Sequence, residues 1–419
     1  MHVRKSRRVV ITGLGIVAPN GIGKDAFWDA LIAGKSSVDY ITAFDPSLYP
    51  CKVAAEVTDF NPVDFMSPRR VRHRGRFSQF AVAAAKLALD DSGVNLSSEV
   101  PERVLACIGT AMNGSGDVYE IARIGFEKTG VGGIPLMSGI EFAAHAPVSH
   151  VSMELGIRGQ GMTLSSACAT GLDAIEWARN QIQEGRADVV FAGCTEAPIF
   201  EFCFATLCAL GALSKFNDPP LRASRPYDLR REGLVLGEGA TVFTVESLDH
   251  ALERGATIYA EVLGYGGGNE GGFGSKINAP ELALADAIRK ALQDAHKSPS
   301  SIDYINTHGN ALPDYDLVET RAIKEIFGRS AYSVPVSSVK SMIGHAMGAG
   351  AGFQVAAACM TLTNGIIPPT INYETPDPEC DLDCVPNVSR SARVRTLLIN
   401  AHAMGGTHSV LVLGSPKHP

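Results

Sequence analysis

Thr163-Leu-Ser-Ser-Ala-Cys168-Ala-Thr-Gly171 leads directly into Leu172-Asp-Ala-Ile-Glu-Trp-Ala-Arg-Asn-Gln-Ile182. In the second part apolar residues recur at helical spacing, at Leu172, Ile175, Ala178 and Ile182. This pattern predicts a helix that ends near Gly185 and has Cys168 at its N-terminus. Free backbone N–H groups and the helix dipole stabilise an anion there, which lowers the pKa of a thiol and predicts a nucleophile. A buried, inert cysteine is the alternative.

Two later histidines supply the partners that such a nucleophile needs. His308 follows the apolar run Tyr304-Ile-Asn, which reads as a strand, and His345 stands at the start of an apolar helix. Imidazoles at strand ends and helix starts can bind charge or move protons beside a thiol. Either histidine alone is as well explained by packing or surface exposure, so the interpretation depends on all three residues.

Strands and helices alternate along the chain, which predicts an α/β fold with largely buried sheets. In the second half, predicted helices at 280–295, 316–327 and 347–362 separate predicted strands at 302–306, 334–337 and 396–400. Ser165-Ser166 precedes the Cys168 helix as Ser337-Ser338 precedes the His345 helix. This echo suggests two related halves, but periodicity alone leaves other doubly wound folds open.

The motifs around these residues resemble those of the β-ketoacyl-[acyl carrier protein] synthases, condensing enzymes of the thiolase superfamily. The resemblance covers residues 8 to 413 and rests on SSACATG at Cys168, THG at His308 followed by Pro313, Asp316 and Glu319, KSMIGHAMGAGAG at His345, and the glycine turn in Asn400–His408. It implies a thiolase-like fold of two pseudo-symmetric halves in five αβαβα layers. Residues 1–255 would hold the nucleophile and cap insertions, and residues 256–419 the catalytic histidines.

The resemblance also implies roles in a decarboxylative Claisen condensation. Cys168 would carry the acyl group, and His308 and His345 would bind the malonyl thioester oxygen and favour loss of CO2. The backbone N–H groups of Cys168 and Met404 would form the oxyanion hole. Supporting roles fall to Asp316 and to Lys340 and Glu319, which would pair to hold the histidine region; a surface ion pair is the alternative for the last two.

The same resemblance implies an acyl pocket lined by Met112, Phe202 and Met404. Asn310 and Leu312 stand at the pantetheine entrance, where the family usually has two threonines, and Met404 stands where it usually has a phenylalanine gate. Met404 adapts to more shapes than an aromatic ring does. These departures, with His408 in place of the family's usual asparagine, predict a type II polyketide or specialised fatty acyl pathway.

Two alternatives remain open at this stage. Housekeeping fatty acid elongation would use the same chemistry, and a non-catalytic chain-length partner would share the fold but lack the nucleophile. A second catalytic cysteine, expected of a degradative thiolase, is missing from Met404-Gly-Gly-Thr407. Acyl chain length, starter unit and the number of condensations are not encoded in any motif.

Composition limits the other classes of function. The net charge of -7 gives no general nucleic-acid signal, and no apolar run approaches membrane-spanning length. Nine cysteines without CxxC spacing or a secretory signal predict reduced thiols in the cytoplasm and no metal site. Gly13-Leu-Gly15-Ile-Val-Ala18 imitates a dinucleotide fingerprint, but the chain continues as a loop where a helix is required. We therefore expect no cofactor beyond the phosphopantetheine arm of a carrier protein.

A basic cluster between residues 67 and 76 predicts the carrier-protein contact. Arg69, Arg72 and Arg74 are its proposed docking residues for an acidic acyl carrier protein, and a solvated charged face is the alternative. We also expect a dimer, either of identical chains or with a chain-length partner, in which the apolar strand Val189–Gly193 extends one sheet across a twofold axis.

Overall fold

The computed structural model describes residues 7–112, 116–271 and 281–416. Its strands are β1 (Val9–Ala18), β2 (Gly21–Ile22), β3 (Asp39–Tyr40), β4 (Val53–Ala55), β5 (Val104–Gly109), β6 (Gly161–Met162), β7 (Val189–Glu196), β8 (Leu236–Gly237), β9 (Gly239–Ser247), β10 (Ala260–Asn269), β11 (Tyr304–Asn306), β12 (Val336–Ser337), β13 (Ile366–Ile367), β14 (Arg390–Ser391), β15 (Thr396–His402) and β16 (Thr407–Gly414).

Its α-helices are α1 (Lys24–Ile32), α2 (Pro68–Val71), α3 (Arg76–Ser92), α4 (Gly116–Thr129), α5 (Ser138–Glu141), α6 (Ala146–Leu155), α7 (Thr170–Gln183), α8 (Glu201–Ala209), α9 (Leu248–Glu253), α10 (Glu281–Asp294), α11 (Pro313–Phe327), α12 (Lys340–Ile343) and α13 (Met347–Asn364). The helices predicted from the second half agree with α10, α11 and α13, except that Pro280 lies outside the described residues. None of the described helices is long and apolar enough to cross a membrane.

Two five-stranded units with the same strand arrangement form the main sheet. The first runs β6-β5-β7-β9-β1 and the second β12-β11-β15-β16-β10. In each unit the first two neighbouring pairs are parallel and the last two are antiparallel. The units join where β1 pairs with β10 over two residue pairs. The predicted pseudo-symmetry is therefore present in the strand order itself.

Helices occupy three layers around these two units. α3 packs on β1 and β9 at one outer face, and α10 packs on β10 and β16 at the other. Between the units, α7 and α13 contact each other and strands of both units. α13 is buried all round from Met347 to Leu362, as expected for a helix with protein on every side. This is the predicted order of five layers.

Glycines set the distance between the two inner helices. A Cβ at Gly171 on α7 would lie 2.5 Å from the backbone nitrogen of Gly352 on α13, and a Cβ at Gly352 would collide with Thr241 on β9. Since both helices begin at the predicted catalytic residues, this close approach brings Cys168 and His345 together. The predicted division between residues 255 and 256 stays a prediction; it falls in the connection between α9 and β10.

The sheet edge differs from the one predicted for dimer formation. Val189–Gly193 lies within β7, which pairs with β5 on one side and β9 on the other. A strand with both neighbours in place cannot extend the sheet into another subunit, so this prediction is wrong. The edge of that unit is instead the short strand β6.

Candidate active site

Cys168 lies in a tight turn immediately before α7. Residues Ala167–Ala169 form a single 3-10 turn, in which Ala167 has a positive φ of 51°. The Thr170 hydroxyl accepts from the backbone N–H of Ser166 at 3.0 Å and donates to the carbonyl of Ala167 at 2.7 Å. These bonds hold an otherwise unfavourable backbone conformation and place the thiol at the start of the helix, as the sequence predicts.

The structure brings the three predicted catalytic side chains together. His345 follows the positive-φ residue Gly344, and its Nε2 lies 3.2 Å from Sγ of Cys168. The ring centroids of His308 and His345 are 5.2 Å apart. Cys168, His308 and His345 are 3%, 1% and 2% exposed, so the site is closed to solvent in this conformation.

Burial changes the electrostatics expected of the thiol. Desolvation raises the pKa of Cys168 to about 11, although the charge of Lys340 and the backbone N–H groups of Met404 and Cys168 act in the opposite direction. The prediction of a lowered thiol pKa is therefore wrong for the closed site. The backbone N–H groups of Cys168 and Met404 both stabilise the thiolate, and their role as an oxyanion hole stays a prediction.

Both histidines are neutral in this environment. Burial, reinforced by the charge of Lys340, holds the pKa of His308 and of His345 well below the usual range. A neutral imidazole offers one N–H donor and one acceptor nitrogen, so each ring can bind a carbonyl oxygen or accept a proton, according to its tautomer.

Glu319 and Lys340 hold the His308 loop from opposite sides. Glu319 accepts from the backbone N–H groups of His308 at 2.8 Å and Gly309 at 2.9 Å. The Nζ of Lys340 donates to the carbonyl of His308 at 2.7 Å and to Gln354 at 2.9 Å. Both side chains are fully buried. The predicted supporting role fits this placement, but neither a direct pair between them nor a surface pair is seen among the described contacts.

The charges of these two residues are linked. Burial alone would raise the pKa of Glu319, but His402 and the backbone donors outweigh it and lower that pKa to about 2. Burial lowers the pKa of Lys340 to about 8, against the attraction of Glu319. Glu319 therefore remains a carboxylate throughout the physiological range.

Asp316 anchors the following residues of the same loop. One of its carboxylate oxygens accepts from the backbone N–H of Asn310 at 3.1 Å, and the other accepts from that of Tyr227 at 2.8 Å. Burial raises its pKa to about 7. Tyr227 also donates its hydroxyl to Glu319 at 2.7 Å, so the two carboxyl groups belong to one network.

The predicted pocket residues separate into two groups. Met112 and Met404 pack, half-buried, against the apolar cluster that contains Cys168, and Leu312 is part of that cluster. Phe202 is 76% exposed on α8 and does not line this region, so its pocket role is corrected for the single chain. A separate cavity of about 430 Å³, lined by Glu56, Arg76, Phe200 and Glu238 among others, does not include Cys168.

The three arginines predicted to dock the carrier protein differ in their exposure to solvent. Arg69 and Arg72 are exposed. The Arg74 side chain is only 5% exposed and forms an ion pair with Glu154 at 2.8 Å. A buried, paired guanidinium cannot contact a docking protein, so Arg74 is withdrawn from the predicted docking surface.

Two residues beside His308 were missed by the sequence reasoning. The rings of His402 and Tyr315 lie with centroids 4.9 Å and 6.1 Å from that of His308. His402 and Asn400 are two residues apart on β15 and so lie on the same face of the strand, and Asn400 donates to Glu319 at 3.0 Å. Tyr315 stands one helical turn before Glu319. The two-residue period of a strand and the four-residue period of a helix could have placed both near the site.

The comparison with known families agrees with this geometry. The model described as Beta-ketoacyl synthase, N-terminal domain matches residues 6–251, and the corresponding C-terminal domain matches residues 259–374. The chain belongs to the β-ketoacyl synthase family, and it is a condensing acyltransferase with the thiolase-like fold predicted from its motifs.

Two similar proteins are ketoacyl synthases of polyketide and 3-oxoacyl-[acyl-carrier-protein] synthesis. The tetracenomycin polyketide synthase ketoacyl synthase alpha subunit of Streptomyces glaucescens is 42% identical over 418 residues, covering 98% of both chains. The 3-oxoacyl-[acyl-carrier-protein] synthase 2 of Coxiella burnetii is 38% identical, covering 98% of this chain and 99% of its own.

Solved ketosynthase structures have the same fold as this chain. A ketosynthase bound to the hexaketide, in complex with its type II PKS acyl-carrier protein, superposes with a TM-score of 0.90 at 34% identity, covering 98% of this chain and 100% of its own. The ishigamide ketosynthase/chain length factor also gives a TM-score of 0.90, at 32% identity, covering 99% and 100%.

Proposed function

We propose that this chain joins a Cys168-bound acyl group to a malonyl unit held on an acyl carrier protein, with loss of CO2, in a type II polyketide pathway. The observation that carries the proposal is the buried constellation of Cys168 with His345 Nε2 at 3.2 Å and His308 beside it. The nucleophile distinguishes the chain from a non-catalytic partner of the same fold. The chemistry uses side chains and backbone N–H groups, with substrates carried on a phosphopantetheine arm.

In the first half-reaction Sγ attacks the acyl thioester and the bond to the carrier sulfur breaks. The thiol proton passes to Nε2 of His345 and from there to the departing carrier thiol. The backbone N–H groups of Cys168 and Met404 would stabilise the oxyanion formed at the acyl carbon. Because the thiol is neutral in the closed site, proton removal by His345 is part of this step rather than a preliminary equilibrium.

In the second half-reaction the bond between the malonyl methylene and its carboxylate breaks and CO2 leaves. The electron pair forms an enolate, whose oxygen accepts from Nε2–H of His308 and of His345; once Cys168 is acylated, His345 is free to adopt that tautomer. The enolate carbon attacks the acyl group, the C–S bond to Cys168 breaks, and the thiolate takes up one proton from solvent.

The experiment that tests the proposal follows each half-reaction separately. Mass spectrometry should show acylation of Cys168 by an acyl carrier protein, and malonyl carrier protein should then yield a β-ketoacyl product. An unacylated Cys168 in the presence of a loaded carrier and a partner subunit would favour the non-catalytic alternative.

The polyketide assignment rests on the relatives named above and on the polar groups close to the site. Tyr315 and His402, each with a polar group on its ring, lie beside His308. Polar groups at a binding site discriminate more strongly than a single methylene does. With its partner present, kcat/KM should be higher for β-ketoacyl carriers than for saturated carriers of equal length. A preference for saturated chains would indicate ordinary fatty acid elongation.

A second subunit is part of the proposal. In the single chain α4 exposes Tyr119, Ile121 and Phe126, each more than half exposed, and α8 exposes Phe202. Such an apolar surface, together with the open edge at β6, is typical of a subunit interface. Light scattering of the chain alone and with a chain-length partner should show a dimer in one of the two samples. The cytoplasmic location expected from the nine free cysteines remains a proposal.

The carrier protein would dock at Arg69 and Arg72. Reversing both charges should weaken carrier binding about tenfold at low salt and less at high salt, because exposed charges are screened. Arg393→Glu, at another exposed arginine, is the matched control. Equal binding by the double variant and the control at low ionic strength would refute the docking site.

A further inference from the structure

A buried chain of polar groups runs between two backbone N–H donors beside the predicted enolate site. The N–H of His402 donates to Nδ1 of His308 at 3.2 Å, and the N–H of Leu312 donates to Oδ1 of Asn310 at 3.0 Å. Between these anchors, Nε2 of His308 and the amide nitrogen of Asn310 are 3.1 Å apart. His308 and Asn310 are 1% and 3% exposed.

This row of polar groups contains one more hydrogen-bond donor than it has acceptors. Because Nδ1 of His308 accepts from a backbone N–H, the neutral ring must carry its proton on Nε2. Because Oδ1 of Asn310 accepts from another backbone N–H, the amide presents its NH2 group toward that Nε2–H. Two donors then face each other with no acceptor between them.

Rotating the amide does not remove the conflict. With Oδ1 turned toward His308, the NH2 group would face the N–H of Leu312 instead, which is also buried. A buried donor without an acceptor is costly, so either orientation leaves a defect that an additional acceptor would relieve. The orientation that satisfies Leu312 leaves the defect beside the reacting groups, where a substrate oxygen can reach it.

We infer that Asn310 is a further catalytic residue, whose Nδ2–H joins the Nε2–H groups of His308 and His345 in binding the thioester oxygen of the malonyl unit. This inference deepens the proposed function and rests on it. The oxygen supplies the missing acceptor, and its hydrogen bonds strengthen as it becomes an enolate on loss of CO2. Asp316 fixes the backbone of Asn310 through its N–H at 3.1 Å, so the amide is in place before substrate arrives.

A contact with the pantetheine arm, which the sequence position also suggests, makes a different kinetic prediction. An amide that only binds the arm contributes equally to ground state and transition state, so its loss raises KM and leaves kcat unchanged. An amide that binds the developing enolate lowers kcat when it is removed, with little change in KM.

The test measures the two half-reactions of Asn310→Asp, Asn310→Ala and Asn310→Thr with the intact chain and its carrier protein. Asn310→Asp keeps the shape but loses the donor, and malonyl decarboxylation should fall in kcat by about 100-fold, as for loss of one oxyanion donor. Asn310→Ala should fall at least tenfold, and Asn310→Thr, which keeps a hydroxyl donor, should lose less than Asn310→Ala. Acylation of Cys168 should fall by a much smaller factor than malonyl decarboxylation does in each variant.

Two outcomes would overturn the inference. An unchanged decarboxylation kcat with a raised KM would assign Asn310 to the pantetheine arm. An equal loss in both half-reactions would show a structural role, since acylation of Cys168 does not use the malonyl oxygen. Failure of the proposed function is distinguishable, because the parent chain itself would then neither acylate Cys168 nor decarboxylate malonyl carrier protein.

Discussion

Two loops in equivalent positions of the pseudo-symmetric halves are held by carboxyl groups in different ways. After β5, Glu196 accepts from the backbone N–H of Ala111 at 2.6 Å and of Met112 at 3.1 Å, and from the hydroxyl of Thr110. After β11, Glu319 does the same for His308 and Gly309, and Asp316 continues the pattern at Asn310. The fold thus uses a carboxyl group to fix the loop on each side of the site.

The difference lies in the charge of the carboxyl group. Burial raises the pKa of Glu196 to about 7, although its hydrogen-bond donors act against this. Glu319 is equally buried, but His402 and the backbone N–H groups lower its pKa to about 2, and Lys340 binds the same loop at the His308 carbonyl. The loop that carries Met112 therefore tolerates a neutral anchor, whereas the loop that carries His308 is built around a permanent carboxylate.

The largest expected effect comes from removing the sulfur of Cys168. Cys168→Ala should reduce acyl transfer by at least about 10³-fold, as for other nucleophile deletions. Malonyl decarboxylation should persist because His308 and His345 remain. Transfer of a radioactive or mass-labelled acyl group measures the first reaction, acyl transfer. Release of CO2 measures the second, malonyl decarboxylation. Condensation at the parental rate would show that the nucleophile is another residue.

The closed site predicts how the thiol responds to pH. With a pKa of about 11, only a small and growing fraction of Cys168 is thiolate between pH 7 and pH 9. Its alkylation by iodoacetamide should accelerate about 100-fold over that range, because the thiolate is the reactive form. Peptide mass spectrometry separates Cys168 from the other cysteines. A rate that is already constant above pH 8 would mean that the helix terminus outweighs burial.

The contrast between the two anchors predicts unequal stability losses. Glu319→Gln removes the carboxylate whose attraction favours the charged form of the buried Lys340. The free energy of unfolding should fall by about 3 kcal/mol, because a buried charge without compensation is costly. Glu196→Gln replaces a group that is already partly protonated near pH 7 and should cost about 1 kcal/mol. Urea denaturation at pH 7 measures both. Equal losses would remove the distinction between a charged and a neutral anchor.

The smallest effect concerns the pH dependence of Glu196. Its folded pKa of about 7 lies above the usual value of 4.5, so between those pH values the unfolded chain binds fewer protons than the folded one. Stability from this group should therefore fall as pH rises from 6 to 7, by roughly 1 kcal/mol relative to Glu196→Gln. Glu319 behaves oppositely: its contribution is complete above pH 4.5 and is lost as the pH falls toward 2. Parallel stability curves for the parent and Glu196→Gln would contradict the raised pKa.

Local patterns in the sequence were sufficient for the elements that carry the site. The apolar period of α7 and the small residues before it placed Cys168 correctly, and the strands before His308 and His345 placed both imidazoles near it. The equivalent serines before α7 and α13 correctly indicated two related halves. These features depend on neighbours in sequence, which a pattern can show.

The errors concern properties set by residues distant in sequence. The pKa of Cys168 depends on how completely other segments bury it, and Arg74 is neutralised by Glu154, 80 residues away. Phe202 was placed in the pocket although α8 turns Cys203, Phe204 and Leu207 inward and leaves Phe202 outside. The strand at Val189 is apolar because it is central, since a strand buried on both faces reads as a continuous apolar run.

The contact of Gly171 with Gly352 limits how this enzyme can be redesigned. The helices that start at Cys168 and His345 come from opposite halves of the chain. Their close approach depends on Gly171, and Gly352 lets α13 pack directly against Thr241 of β9. A combinatorial library aimed at a new acyl specificity can vary Met112 and Met404, which pack against the cluster around Cys168, but it must keep both glycines fixed. A Cβ at Gly171 would push α7 and α13 apart, and with them the nucleophile and the imidazole, whereas a Cβ at Gly352 would push α13 off β9. Either shift would inactivate every member of the library, whatever its pocket.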